Sequence, residues 1–268
     1  MNTSFADIEK KENRKDLIIS ICVFLSGFSC FAQLYYFQPL LPDLAKDFIL
    51  SASESSFAIS FSTLGMVFGL FTTMFVADRI PRKKMIGTGL LSSSIFSVAA
   101  SFSPTFLPLI LLSAAKGFLL SGATSVSMAY IAEEVSSRNK GKIMGLYIAG
   151  NALGGMAGRV ISSWIGALYT WRIASVSIGL ICALFAILFL LFSPRSTNFM
   201  PRKESFHTLI IANLQLITSK ALIPFYLTGG LILGVFVSLY NYLGFYLTKA
   251  PFNFPEHYIH YIYLMYIF

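Results

Sequence analysis

In LFTTMFVADRIPRKKMIGTG, residues 70–89, an apolar run halts at Asp78 and another starts at Met85. Between them stand Arg79, Arg82, Lys83 and Lys84. Two apolar runs of membrane length joined by so short a basic hinge predict adjacent transmembrane helices. Positive charge in short loops collects on the cytoplasmic side. With the hinge placed there, the sidedness of every other run follows.

Composition agrees. Only 12% of the 268 residues are charged and 56% are hydrophobic, whereas a soluble domain carries about 25% charge. The apolar residues come in blocks of roughly 20, the length that crosses a bilayer. The expected helices are 17–41, 56–77, 85–101, 107–131, 143–168, 172–192 and 222–247. A last apolar run, 258–268, has 11 residues, short of the about 20 a span needs, and reads as the start of an eighth helix. The fold class is therefore an all-α membrane protein: a six-helix bundle over 17–192, a central connection over 193–220, and the start of a second bundle over 221–268. Residues 1–16 form a polar cytoplasmic arm. Their mixed charge and the lack of a small-residue cleavage pattern argue against a secretory signal. Pro39 and Pro42 should break or end the first helix.

The basic residues test the topology. Fifteen of the 20 Lys and Arg fall on the hinge side, three fall opposite (Lys46, Arg172, Lys249), and Lys116 and Arg159 lie within helices. The net charge of +8 thus sits in loops, as the positive-inside rule requires, and not in a nucleic-acid-binding face. Cys22, Cys30 and Cys182 lie in apolar runs and read as small buried residues. His207, His257 and His260 show no metal-ligand spacing. No phosphate-binding glycine loop or activated nucleophile is present, so neither enzyme activity nor a cofactor or metal is expected.

Intramembrane charges are costly, about 2.5–3.5 kcal/mol each on insertion scales, and are functional candidates. Lys116 and Arg159 each sit about nine residues from the outer end of their helices, ~14 Å deep at 1.5 Å per residue. Two cations at one depth could attract an anionic solute; alternatively each could bond backbone carbonyls or snorkel. Tyr35, Gln38, Tyr240 and Asn241, in the outer halves of the first and seventh helices, are either cavity-lining groups or interfacial anchors. No acidic residue lies deep in a helix. Glu133 and Glu134 are expected to form a gate or to pair with Arg138, Lys140 or Lys142, in preference to serving as a proton site. Gly150, Gly154 and Gly158 form a four-residue-spaced stripe, with Gly155 beside it, which lets another helix backbone approach closely. Gly65 with Gly69, and Gly230 with Gly234, read as further close-packing pairs.

The hinge resembles the signature of the major facilitator superfamily, an Asp-Arg pair followed by glycine and basic residues. Asp78, Arg79, Arg82 and Lys83 match it, while Met74 and Pro81 replace its two glycines. The stripe GLYIAGNALGGMAGRVISS (residues 145–163) is similar to the fifth-helix motif of the family's antiporters, with Gly155 where their proline stands. YYFQPLLPDLA, AYIAEEV, TWRIA and YNYLGF extend the likeness, over about 17–250, to bacterial inner-membrane efflux permeases. The resemblance implies two six-helix bundles around a central cavity, lined by helices one, four, seven and ten, and secondary active efflux of a small organic solute by alternating access. It places an arginine at Ser113, so Lys116 would be a shifted substitute for it or a scar of its loss. It also implies that Asp78 switches the conformation by meeting the start of an eleventh helix. The expected partners are membrane lipid, a small-molecule solute and a separately encoded C-terminal half; a truncated, non-transporting fragment is the other reading.

Overall fold

The computed structural model describes residues 5–201, 206–255 and 262–263. Among them the regular structure is helical. In chain order the helices are α1 (Phe5–Tyr35), α2 (Leu41–Asp47), α3 (Ala52–Ser55), α4 (Phe57–Val76), α5 (Arg82–Ala100), α6 (Phe106–Glu134), α7 (Lys140–Leu168), α8 (Trp171–Phe192), α9 (Phe206–Ile217) and α10 (Ile223–Leu247), with 3-10 turns at Gln38–Leu40 and Ala77–Arg79. The last run, 258–268, lies outside the described residues apart from Ile262 and Tyr263.

Among the described residues five segments are long and apolar enough to cross a membrane: Glu12–Asp47, Ala52–Arg79, Phe106–Glu134, Trp171–Phe192 and Ile223–Leu247. The expected third and fifth spans are α5 and α7, and they fall short on apolarity. Ser93, Ser94 and Ser97 of α5 and Arg159, Ser162 and Ser163 of α7 are buried against protein. In α5, Ser93 and Ser94 donate to the Leu90 carbonyl (2.8 Å each), and Ser97 donates to Gln33 Oε1 (3.2 Å). Such hydroxyls are satisfied within the bundle, as a bilayer interior demands. Leucines at 111, 184 and 191 are more than half exposed, an apolar outer surface suited to lipid.

Close approach of backbones organises the bundle. A Cβ on Gly150 would lie 2.5 Å from the Phe24 carbonyl oxygen, and one on Gly158 2.7 Å from that of Ala32. One on Gly154 would overlap the Phe28 carbonyl. Residues 24, 28 and 32 of α1 thus meet 150, 154 and 158 of α7, and both helices present a four-residue spacing at the contact. Gly65 and Gly69 of α4 meet the carbonyls of Ala114 and Phe118 in α6, and Gly117 returns the approach against Ser62. α5 packs on α6 and α8, and α8 on α1. One apolar core fills the hinge end, around Val23, Leu90, Tyr130 and Phe189. A second fills the opposite end, around Phe37, Leu41, Leu109 and Trp171.

Three features differ from the sequence expectation. α1 already begins at Phe5, within the expected polar arm. The central connection contains α9, an apolar helix whose groove against α4 is lined by Val67, Phe71, Phe75, Ile210 and Leu214. Gly230 and Gly234 meet nothing within 4 Å, so among the described residues they are not a packing pair. α10 leaves the bundle over its first half, where Phe225, Leu231 and Val235 are about 70% exposed.

Gly154→Val should disrupt the α1–α7 contact, since over-packing a tight site costs about 1–3 kcal/mol or more. Gly145→Ala, at an open position, should be silent. Thermal unfolding in detergent should show a clear loss for the first and none for the second.

Candidate transport site and hinge

Pro39 and Pro42 lack the N–H groups a continuous helix would use, and α1 gives way at Tyr35 to a 3-10 turn and then to α2. The Tyr36 carbonyl at this break accepts a hydrogen bond from Ser162 of α7 (2.8 Å). The break turns Tyr35 and Gln38 toward α7 and α10.

Arg159 is fully buried there. Its Nε donates to Gln38 Oε1 (2.5 Å) and its Nη1 to the Gly155 carbonyl (2.6 Å). The guanidinium lies 4.4 Å from the Tyr35 ring centroid, 5.2 Å from Tyr240 and 5.7 Å from Phe236. Gln38 Nε2 in turn donates to Asn241 Oδ1 (2.8 Å). Charge-assisted hydrogen bonds contribute about 1.5–3 kcal/mol each, so two of them offset the insertion cost of roughly 2.5–3.5 kcal/mol. Arg159, Tyr35, Gln38, Tyr240 and Asn241 thus form one cluster, joining α7, the broken end of α1 and α10. Phe236, which the sequence reading passed over, belongs to it; its signal was its position one turn before Tyr240.

Lys116 lies apart from that cluster. It is 1% exposed, and its Nζ sits 4.5 Å from the Tyr36 centroid and 5.0 Å from Phe37. Among the described residues Nζ makes no hydrogen bond, and neither does Ser113 Oγ. The two cations therefore do not converge on a shared anion position; each takes its own aromatic faces from the Tyr35–Tyr36–Phe37 run. Desolvated cation–π contacts reach about 2 kcal/mol, so two rings roughly balance the cost of burying this ammonium.

At the hinge, Arg82 Nη2 donates to Asp78 Oδ1 (2.9 Å) and to Glu133 Oε1 (3.0 Å), and Nη1 donates to the Ala77 carbonyl (2.5 Å). Pro81 sits in an extended conformation directly before α5, where its missing N–H costs nothing. Lys83 Nζ donates to the Ser193 carbonyl and its backbone N–H to Ser196 Oγ. Arg79 is exposed.

Glu133 and Glu134 pair differently from expectation. Glu133 takes Arg82. The Glu134 side chain, fully buried, accepts from Lys15 Nζ (2.8 Å), Thr197 Oγ1 (2.8 Å) and the Asn198 N–H (2.7 Å). The chain bends out of α6 at Val135, so both carboxylates face α5, α1 and the connection. The start of the connection is a fastened strap, with Tyr130 OH also donating to the Pro194 carbonyl. Nothing local in the sequence signals these partners, which lie more than 50 residues away. Among the described residues no group of three or more His, Cys, Asp or Glu could hold a metal. His207, His257 and His260 fall where no side chain is described.

Helices packed on glycine stripes, buried cations and a basic hinge describe a polytopic transport protein, and the comparisons agree. The Major Facilitator Superfamily profile matches residues 20–268. The chain is 35% identical over 236 residues to the inner membrane transport protein YnfM of Escherichia coli, covering 88% of this chain and 56% of that protein. It is 34% identical over 260 residues to an uncharacterized transporter of Buchnera aphidicola, covering 97% and 63%. A bacterial homologue of the human lysosomal transporter Spinster, solved inward-facing and unoccupied, superposes with a TM-score of 0.74 at 13% identity over 92% of this chain and 58% of that one. The chain belongs to the major facilitator superfamily of membrane transporters. It spans about three-fifths of the length of these curated relatives.

Arg159→Met leaves Gln38 and the Gly155 carbonyl without their donor, a buried loss of about 1–3 kcal/mol per group, and should lower the melting temperature measurably. Lys116→Met strands no partner and should change it little or raise it. Glu134→Ala should release the strap, which limited proteolysis would detect as faster cleavage around Arg195, with the helical content unchanged by circular dichroism.

Proposed function

We propose that the chain works as a secondary active transporter that exports a small organic solute across the bacterial inner membrane by alternating access. The basic hinge and the N-terminus lie on the cytoplasmic side. The charge asymmetry supports this orientation, as does the relationship to an inner membrane transport protein. The solute passes between the six-helix bundle and the helices that begin with α10, alongside Arg159, Tyr35, Gln38, Tyr240 and Asn241. The observation that carries this reading is the Arg159 cluster: a fully buried cation bonded across the joint between the bundle and the next helix. Intramembrane ionisable groups at such joints mark solute or ion pathways. Lys116, held on Tyr36 and Phe37, shapes the cavity wall from behind. Asp78, Arg79, Arg82 and Lys83 form the hinge across which the bundle rocks.

A partial relative, the niacin transporter NiaP of Acinetobacter baylyi, is 27% identical over 141 residues, covering 53% of this chain and 32% of that protein. It favours small organic acids as the first solutes to try. The curated relatives extend beyond the length that this chain matches. Cells expressing the chain alone, and together with the C-terminal half of YnfM, should accumulate less of at least one solute from a panel of small organic acids and amines. Arg159→Ala should abolish the difference. A panel showing no difference in either strain would sink the proposal. Separately, a cysteine replacing Lys84 should resist a membrane-impermeant maleimide in intact cells.

A further inference from the structure

We propose that Arg159 is the positioning residue of a latch that holds the outer ends of α1 and α10 together, deepening the transport reading above and resting on it. α10 engages the bundle only through its second half. Tyr240, Asn241 and Gly244 are buried, whereas Gly229, Gly230 and Gly234 face open space. The helix is therefore pinned at the end opposite the hinge and splayed toward the hinge.

The pin has a polar order. Arg159 can only donate hydrogen bonds. Its Nε donates to Gln38 Oε1, which fixes the orientation of that amide. The amide NH2 then faces α10 and requires an acceptor, which Asn241 Oδ1 supplies at 2.8 Å. Each link is set by the one before, and the charge sits at the head. The faces of Tyr240 and Phe236 over the guanidinium exclude water from the chain of bonds, strengthening it in a low-dielectric setting. One turn further out, a Cβ on Gly244 would lie 3.3 Å from Pro42 Cγ, so α10 and α2 touch there whenever the latch is closed. Opening to the outside then requires Gln38 and Asn241 to part, and Arg159 sets how readily they do so.

The contact at Pro42 and Gly244 lies outside the latch and reports on it. In the full chain, with Cys22, Cys30 and Cys182 replaced by alanine, Pro42→Cys and Gly244→Cys together should bridge under copper-phenanthroline oxidation in native membranes. Arg159→Gln or Asn241→Leu should slow the bridging about tenfold, the scale of one lost hydrogen bond. Asn241→Asp, which keeps an acceptor, should bridge at least as fast as the parent. Melting temperatures recorded in parallel identify any variant whose bundle has failed to fold, and Asn241→Leu carries the test if Arg159→Gln is one of these. Bridging at the parent's rate in both Arg159→Gln and Asn241→Leu, or no bridging with Arg159 intact, would overturn the latch while leaving the transport reading standing. Labelling of the Lys84→Cys variant from outside intact cells would instead remove the orientation on which both rest.

Discussion

Contact between the α1 backbone and the glycine face of α7 is the constraint on which the rest of this structure depends. In a bilayer no hydrophobic effect drives helices together, so association relies on close packing and on weak polar contacts between backbones. Phe24, Phe28 and Ala32 present carbonyls at one spacing, and Gly150, Gly154 and Gly158 present absent side chains at the same spacing. A glycine hydrogen occupies the place of each missing Cβ, and such C–H···O contacts contribute about 0.5–1 kcal/mol apiece. Because these two backbones lie so near each other, Ser162 reaches the Tyr36 carbonyl and Arg159 reaches Gln38. A wider interhelical gap would leave both the break in α1 and the buried guanidinium unsupported.

The two intramembrane cations show how one cost is met in two ways. Arg159 combines aromatic faces with directed hydrogen bonds to Gln38 and Gly155, and its planar fork suits that combination. Lys116 is a compact point charge resting against the rings of Tyr36 and Phe37. The single run Tyr35–Tyr36–Phe37, at the end of α1, serves both cations: Tyr35 meets Arg159, and Tyr36 and Phe37 meet Lys116.

The hinge end is built on different physics. Arg82 holds Asp78 and Glu133 together, while Glu134 gathers the arm through Lys15 and the connection through Thr197 and Asn198. Adjacent carboxylates at the end of one helix thus fasten different parts of the chain. At the opposite end Asp47 accepts from both Trp171 and Arg172, tying α2 to the start of α8. The bundle is bound at each end by charge and along its length by glycine contacts.

Much of this architecture was legible in the order of the residues, because bilayer length, basic loops and glycine spacing are all properties of short contiguous stretches. Runs of about 20 apolar residues mark spans, and the placing of Lys and Arg orients them. The stripe from Gly150 to Gly158 announced a helix contact without naming α1 as its partner. The motif residues Asp78, Arg79, Arg82 and Lys83 pointed to the family. Tertiary structure alone decided which groups meet. It separated Lys116 from Arg159 although they share a depth, since depth along a helix says nothing about the face a side chain takes. It gave Glu133 and Glu134 to Arg82 and Lys15, not to the nearer Arg138, Lys140 and Lys142, because the bend after α6 turns the carboxylates away from the start of α7. It also left Gly230 and Gly234 open where spacing had suggested packing: a glycine pair permits a close approach, but only a neighbouring helix can make one.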